Sequence, residues 1–152
     1  MVACNRLVMV LCGLVLVFAG AGGLGGCSGK TDLSIQYWQA NQAIAKVAEL
    51  SKDPESLAII DVRSSEEFAK ERIAGARNMT IAEFATPSVR DAKAPGETVI
   101  AGKDEILIYA NDPGSAVPRA MAKRLMRMGY DDVYVLQGGL LAWKRAGGVV
   151  EE

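Results

Sequence analysis

Cysteine and histidine, two residue types often used for catalysis and metal binding, are missing from most of this chain. The 152-residue sequence has no histidine, and its three cysteines, Cys4, Cys12 and Cys27, all lie within the first 27 residues. Beyond Cys27, a reaction or a metal site could draw only on carboxylates, hydroxyls, amides and cations, because thiolate and imidazole ligands are missing. We therefore predict no metal site and no disulfide in that part of the chain.

The segment that contains the cysteines has the pattern of a secretory signal. Arg6 is the only charged residue before the apolar run Leu7–Ala19, and small residues follow from Gly20 to Gly26. This succession of a charged, an apolar and a small-residue region is typical of signal peptides. The apolar run is shorter than the roughly 20 residues that a membrane-spanning helix needs. A cleaved signal is therefore favoured over an uncleaved anchor.

The sequence Leu24-Gly25-Gly26-Cys27 resembles the lipobox of bacterial lipoproteins. That resemblance implies cleavage before Cys27 and acylation of its sulfur and of the new amino terminus, which would anchor the protein to a membrane. It divides the chain into a lipoprotein signal peptide at 1–26, a lipidated cysteine with its tether at 27–33 and a folded part at 34–152. The expected location is the bacterial cell envelope, facing the periplasm. Ser28 favours the outer membrane, because it is not the aspartate that signals retention at the inner membrane. An ordinary secretory signal is the alternative.

The charge of the folded part argues against nucleic acid as a partner. Arg6 is the only charge before Cys27, so 16 basic and 18 acidic residues remain, a formal balance of −2. Such near-neutrality gives no electrostatic attraction for nucleic acid. The stretch Gly20–Gly25 has the spacing of a dinucleotide-binding loop, but it lies in the cleavage region without a strand and helix around it. We predict no cofactor.

Short apolar runs alternate with segments of helical spacing in the folded part. Runs without polar alternation at Leu57–Val62, Glu105–Tyr109 and Val133–Leu136 predict strands buried on both faces. Strands that alternate with helices predict one α/β domain, in which a parallel sheet is covered by helices on both faces. The long connection Pro87–Asp104 lacks clear periodicity, and one interpretation places a short strand at Thr98–Ala101 within it.

Sequence patterns also place the helices. Helical spacing begins at Tyr37 and continues to Ala48, and Gly138-Gly139 opens the last helix. Capping-box signatures at Ser64 with Glu67 and at Thr80 with Glu83 predict two short helices. The helix after Ser115 is expected to face inward with Val117, Ala120, Met121, Leu125 and Met128.

Ligands of open α/β sheets bind at the carboxyl ends of strands. Two such ends carry polar residues here, Asp61-Val62-Arg63 and Ala110-Asn111-Asp112. We favour the second as the candidate site, because it leads directly into a helix whose first amides lack intrahelical partners.

Several stretches match, in order and spacing, the signatures of one family. The matching stretches are Ile59–Arg63, Glu67-Phe68, Arg72–Asn78, Ile106–Tyr109, Met128–Tyr130, Val133–Leu136 and Gly138–Trp143. The chain resembles the rhodanese-like domain family in these stretches, which together span Leu57 to Gly147. One departure is Arg72, where the family usually has histidine. The resemblance implies a single compact α/β domain with a central five-stranded parallel sheet.

The resemblance also implies that the active-site loop is degenerate. Sulfur-transferring members hold a nucleophilic cysteine directly after the matching strand, where this chain has Ala110. An alanine methyl cannot attack sulfur, so the nucleophilic route is closed. The altered loop consists of Ala110, Asn111, Asp112, Pro113, Gly114, Ser115 and Ala116. Pro113 is inserted, and Ala116 stands where the family has an arginine that helps to bind the anionic donor. We expect poor anion binding and no catalytic residue in the loop.

The remaining signature residues, Asp61, Arg63, Glu67, Gly138, Gly139 and Trp143, have structural interpretations. Arg63 and Glu67 are spaced for an ion pair, Asp61 can bond the backbone of its turn, and Trp143 is expected to pack. Asp61 with Asp112 supplies too few oxygen ligands for a divalent cation. Arg119 either leans back over the loop or belongs to a solvated basic stripe with Lys123 and Arg127, which we prefer.

Three functions are compatible with this sequence. The first is a membrane-anchored binding or regulatory module whose loop at 110–117 takes a protein or a small anion. The second is a structural envelope protein, and the third is a sulfurtransferase or sulfur carrier that uses a partner's thiol. An exposed apolar patch at 113–117 would favour binding over a purely structural role, because monomers seldom expose large apolar patches.

Overall fold

A computed structural model describes residues 34–50, 52–53, 56–84 and 100–152. The predicted signal peptide, Cys27 and the tether lie outside the described residues. Within those ranges, no helix combines the length and apolar character needed to cross a membrane.

The core of the domain is a five-stranded parallel sheet, as predicted. Its strands are β1 (Gln36–Trp38), β2 (Leu57–Asp61), β4 (Arg77–Asn78), β5 (Glu105–Tyr109) and β6 (Val133–Leu136), in the spatial order β1-β6-β5-β2-β4. Two further short strands, β3 (Arg72–Ile73) and β7 (Val150–Glu151), pair antiparallel beside it. The edge strands β1 and β4 are two or three residues long, too short to produce a periodic signal in the sequence.

Four α-helices and a short 3₁₀ helix are described. They are α1 (Ala40–Leu50), α2 (Ser65–Lys70), the 3₁₀ helix Ile81–Phe84, α3 (Val117–Arg127) and α4 (Gly139–Arg145). The capping box of Ser64 and Glu67 is confirmed at the start of α2. Thr80 and Glu83 also bond to each other, but the turn that they begin is 3₁₀. The helix expected from Tyr37 begins only at Ala40.

The strands alternate side chains between two apolar cores, one on each face of the sheet. On one face, residues such as Ile60 and Ile108 pack with Met121 and Leu125 of α3. On the other, Ile59 and Leu107 pack with side chains of α1 and with Leu140 and Trp143 of α4. Helices therefore cover both faces, which confirms the predicted architecture and explains why the central strands show no polar alternation.

Two predicted details are wrong in part. Met121 and Leu125 of the predicted inward face of α3 are buried and Met128 is half-buried, but Val117 and Ala120 are exposed, and the rest of the buried face is Pro118, Ala122 and Met126. A face centred on Val117 and Ala120 would have brought the charged Arg124 to its middle, since these positions share one helix stripe. No strand forms at residues 100–102, where Ile100 is helical and a turn follows, while Thr98 and Val99 lie outside the described residues.

Candidate binding site at the carboxyl end of strand β5

The loop that follows β5 forms one wall of a small cavity at the carboxyl ends of the strands. The cavity has a volume of about 290 Å³. Ala110, Asp112, Pro113 and Ser115 of the loop line it together with residues from β1, α3 and the end of β6. The predicted loop therefore lies where open α/β sheets bind ligands.

Ala110 contributes only a methyl group to this cavity. It directly follows β5 and is 5% exposed. A methyl group neither ionises nor offers a lone pair, so it can shape a binding surface but cannot form a covalent intermediate. Any chemistry at this position would have to come from a bound partner.

Two backbone amides at the loop and at the start of α3 are bonded to side chains of the loop itself. The Gly114 amide donates to Asp112 Oδ1 at 2.7 Å, so Asp112 occupies a donor of its own loop. At the start of α3, the Val117 amide lies 3.4 Å from Ser115 Oγ. Pro118 is the second residue of α3 and has no N–H. Of the first amides of α3, that of Val117 is therefore bonded to Ser115 and that of residue 118 is missing.

The start of the loop is held against the start of α4 by a close backbone contact. Leu140 donates its amide to the Ala110 carbonyl at 2.8 Å, and Leu141 donates to that of Asn111 at 3.0 Å. Gly139 has φ +60°, and a Cβ on it would lie 2.5 Å from the Ala110 oxygen. Gly138, at φ +81°, is the N-cap of the same helix. The two glycines therefore fix the position of the loop.

The charged groups at the cavity are Asp112 and Arg119, both exposed. Arg119 lines this cavity and also a neighbouring groove with Lys123 and Arg127. It therefore reaches toward the loop and at the same time belongs to the basic stripe, so the two interpretations of Arg119 do not exclude each other.

Apolar surface is exposed around the loop. Tyr37 is 44% exposed and Val117 40% exposed, and Pro113, which lines the cavity with Tyr37, is exposed as well. These side chains come from β1, from α3 and from the loop. Within 113–117, the apolar residues Pro113, Ala116 and Val117 are all exposed.

Asp61 and Arg63 form a buried ion pair at the carboxyl end of β2, the other strand end that was predicted to carry polar residues. Arg63 Nη2 lies 2.6 Å from Asp61 Oδ2, with the two side chains 4% and 0% exposed. The Arg63 amide also donates to Asp61 Oδ1, which confirms the predicted bond to the turn backbone. The predicted ion pair of Arg63 with Glu67 is wrong, because Glu67 caps α2 through Ser64 and Arg63 instead donates to the Glu71 carbonyl.

Tyr109 completes this buried cluster. Its hydroxyl accepts a hydrogen bond from the Ile73 amide at 3.1 Å, and the Arg63 guanidinium lies 5.7 Å from its ring centre. Burial raises the pKa of Tyr109 far above its ordinary value. These contacts tie β2, β3 and β5 together, and Asp61 faces Arg63 rather than a cation site. The described residues contain no group of three or more metal-ligating side chains.

A comparison with protein families agrees with this geometry. The sequence matches the model of the rhodanese-like domain over residues 43–146. The chain belongs to the rhodanese-like domain family. No curated protein matches it significantly.

Solved structures show the same fold. A Rhodopseudomonas palustris protein of unknown function, named as a possible tyrosine phosphatase, has a TM-score of 0.62 and 24% identity over 79% of this chain and 87% of its own. A rhodanese-like domain from Anabaena has a TM-score of 0.51 and 24% identity over 76% and 77%. Thiosulfate sulfurtransferase from Pseudomonas aeruginosa has a TM-score of 0.58 and 24% identity over 76% of this chain and 20% of the other.

The rhodanese-like domain brings together residues that sequence reasoning did not connect. Tyr37 of β1, Gln137 after β6 and Pro118 of α3 line the cavity with Ala110 and Asp112. The end of β6 could have been found with the same strand-end rule, since Gln137 follows that strand directly. Tyr37 could not, because β1 gives no sequence signal. Trp143 is 3% exposed and donates its indole N–H to the Val149 carbonyl, so its predicted packing role is confirmed.

Proposed function

We propose that this rhodanese-like domain is a binding module that takes a protein or a small ligand at the loop 110–117 and does not transfer sulfur. The observation that carries the proposal is the Ala110 methyl in the cavity wall directly after β5, at the position where the family resemblance expects a nucleophilic cysteine. Among the described residues the domain has no cysteine that could take over that role.

The electrostatics of the loop support the absence of sulfurtransferase activity. An anionic sulfur donor would need a cation or several free amides. Ala116 supplies no charge, the cation that lines the cavity is Arg119 of α3, Asp112 adds a negative charge, and the Gly114 amide is already bonded to Asp112. A missing cation about 4 Å from an anion corresponds to on the order of 4 kcal/mol at an effective dielectric constant of 20. A bound partner therefore gains more from the apolar surface of Tyr37, Pro113 and Val117 than from the loop amides.

We further propose that the domain is anchored in the bacterial envelope through lipid on Cys27. The support is the lipobox-like sequence behind an apolar run of signal-peptide length. Two or three acyl chains would hold the protein stably at a membrane. Mass spectrometry of the protein from membranes tests this: a chain that begins at an acylated Cys27 is expected, and an unprocessed Met1 terminus would contradict it.

A sulfur-transfer assay tests the loss of activity. The protein is incubated with thiosulfate and cyanide, and thiocyanate formation is compared with that of an unrelated protein. No difference is expected. The variant Ala110→Cys, alone and with Ala116→Arg, should restore at most a weak activity, because the inserted Pro113 and the Asp112–Gly114 bond still distort the loop. Ala69→Cys, an exposed position on α2, is the control for a thiol outside the cavity.

The outcomes separate the functional classes. Thiocyanate from the unmodified protein above the control would overturn the proposal and point to a sulfurtransferase. Strong activity of Ala110→Cys alone would show that the loop has kept its anion site, so only the nucleophile would be missing.

A further inference from the structure

A second depression lies beside the loop cavity, between the edge strand β1 and helix α3. This basic groove has a volume of about 570 Å³ and is lined by Ile35 and Tyr37 on one side and by Arg119, Lys123 and Arg127, with the small Ala116 and Ala120, on the other. None of the described residues that line it is acidic. Three basic side chains therefore line one groove on a domain whose formal balance is close to neutral.

The charges of the groove form one row on the outside of the domain. Positions 119, 123 and 127 are spaced by four residues and so lie on one helix stripe, away from the buried face that contains Met121 and Leu125. Tyr37 adds a half-exposed aromatic ring with a polar hydroxyl. Basic side chains attract anionic lipid headgroups, and tyrosine suits the boundary between headgroups and apolar chains.

The groove lies next to the amino-terminal end of the described domain, and this position favours a membrane as its occupant. The described domain begins at Ser34, next to Ile35 in the groove wall. Only six residues separate Ser34 from Cys27. A chain of that length spans at most roughly 25 Å when fully extended. An acyl chain on Cys27 would hold the groove within that distance of the bilayer.

We propose that the basic groove docks the domain on anionic phospholipid headgroups, so that the anchored protein lies against its own membrane with the Arg119–Arg127 row facing the surface. This inference rests on the proposed acylation of Cys27. Tyr37 and Arg119 also line the loop cavity, so docking brings the mouth of that cavity close to the headgroups. The row of basic residues in the groove gives an anionic surface a preferred face to attract and so orients the domain.

The test uses the processed, acylated protein added to preformed vesicles. One set contains phosphatidylcholine only, and the other contains phosphatidylcholine with phosphatidylglycerol. The rate at which a water-soluble reagent acetylates Lys123 is measured by mass spectrometry, with the exposed Lys70 of α2 as internal reference. At low salt, acetylation of Lys123 is expected to be about fivefold slower on anionic vesicles, the effect of about one basic residue held at an anionic surface. High salt should remove the difference, because it screens surface charges.

Charge-reversal variants assign the effect to the groove. Arg119→Glu with Arg127→Glu should abolish the difference between the two vesicle types. Arg77→Glu with Arg145→Glu changes the net charge by the same amount at exposed positions outside the groove, Arg77 being on β4 at the opposite edge of the sheet. This control should leave the difference unchanged.

Three results would overturn the inference. Equal acetylation of Lys123 on both vesicle types, with Cys27 acylated, would overturn docking alone and leave the anchor in place. Protection by soluble polyglutamate on neutral vesicles, without any effect of phosphatidylglycerol, would assign the groove to an acidic protein segment. A protein whose Cys27 carries no acyl chain would overturn both the anchor and the docking.

Discussion

The substitution Gly139→Ala tests whether the contact between α4 and the loop is what positions the candidate site. Gly139 has φ +60°, and its added Cβ would lie 2.5 Å from the Ala110 oxygen and 2.8 Å from the carbonyl carbon and oxygen of Asn111. All three neighbours are backbone atoms, so they cannot move aside as the end of a flexible side chain could. Relief of the contact requires the loop and the helix to separate, which would break the bond from Leu140 to Ala110.

Two energetic costs lower the stability of the Gly139→Ala variant. A residue with a Cβ in the left-handed region loses about 1–2 kcal/mol. Insertion of a methyl group into a filled space typically costs a further 1–3 kcal/mol. The free energy of unfolding is therefore expected to fall by about 2–5 kcal/mol, a large part of the 5–15 kcal/mol that stabilises a typical domain.

Gly147→Ala is the matched control. Gly147 lies just after the other end of α4 at φ +82°, and a Cβ there would meet no atom within 4 Å. It should lose only the conformational cost of about 1–2 kcal/mol. Urea unfolding followed by tryptophan fluorescence gives both values, since Trp38 and Trp143 are each 3% exposed and report on the core. Equal losses in the two variants would refute the claim that the approach of the Ala110 carbonyl requires glycine.

Two further predictions concern the buried cluster behind β2. Arg63→Ala leaves the Asp61 carboxylate buried without its cation, so the free energy of unfolding measured in urea should fall by about 3–5 kcal/mol. Lys144→Ala removes a partly exposed ion pair with Glu71 and should lower it by less than about 1 kcal/mol. Similar losses in the two variants would contradict the argument that burial makes the first pair costly to break. Burial raises the pKa of Tyr109, so above about pH 10 the unfolded phenol releases a proton that the folded one keeps, and the free energy of unfolding falls by up to about 1.4 kcal/mol per pH unit from this group. Tyr109→Phe should make that decline shallower, and an unchanged slope between pH 10 and 11 would contradict the assignment.

The parts of the fold that local sequence determines are those with a repeated local pattern. The strands β2, β5 and β6 contain uninterrupted apolar residues because both faces of a central parallel strand are buried. The capping box at Ser64 could be predicted because donor and acceptor are three residues apart. By contrast, β1 and β4 exist only because each pairs with a neighbour in the sheet, and their short sequences contain no periodic signal of their own.

The candidate site also has one part that local sequence determines and another that depends on tertiary packing. The chain itself places Ala110 directly after a strand and Asp112 two residues before Gly114, so the loop and its internal bond could be foreseen. The sequence could not show that Tyr37 faces this loop, or that Arg63 pairs with Asp61 instead of Glu67. The first depends on packing between segments distant in the chain, and the second on competition among several nearby partners. Sequence patterns therefore determine which elements form and where the loop begins, while the tertiary structure decides which side chains share the cavity, because only packing brings residues of separate strands and helices within contact distance.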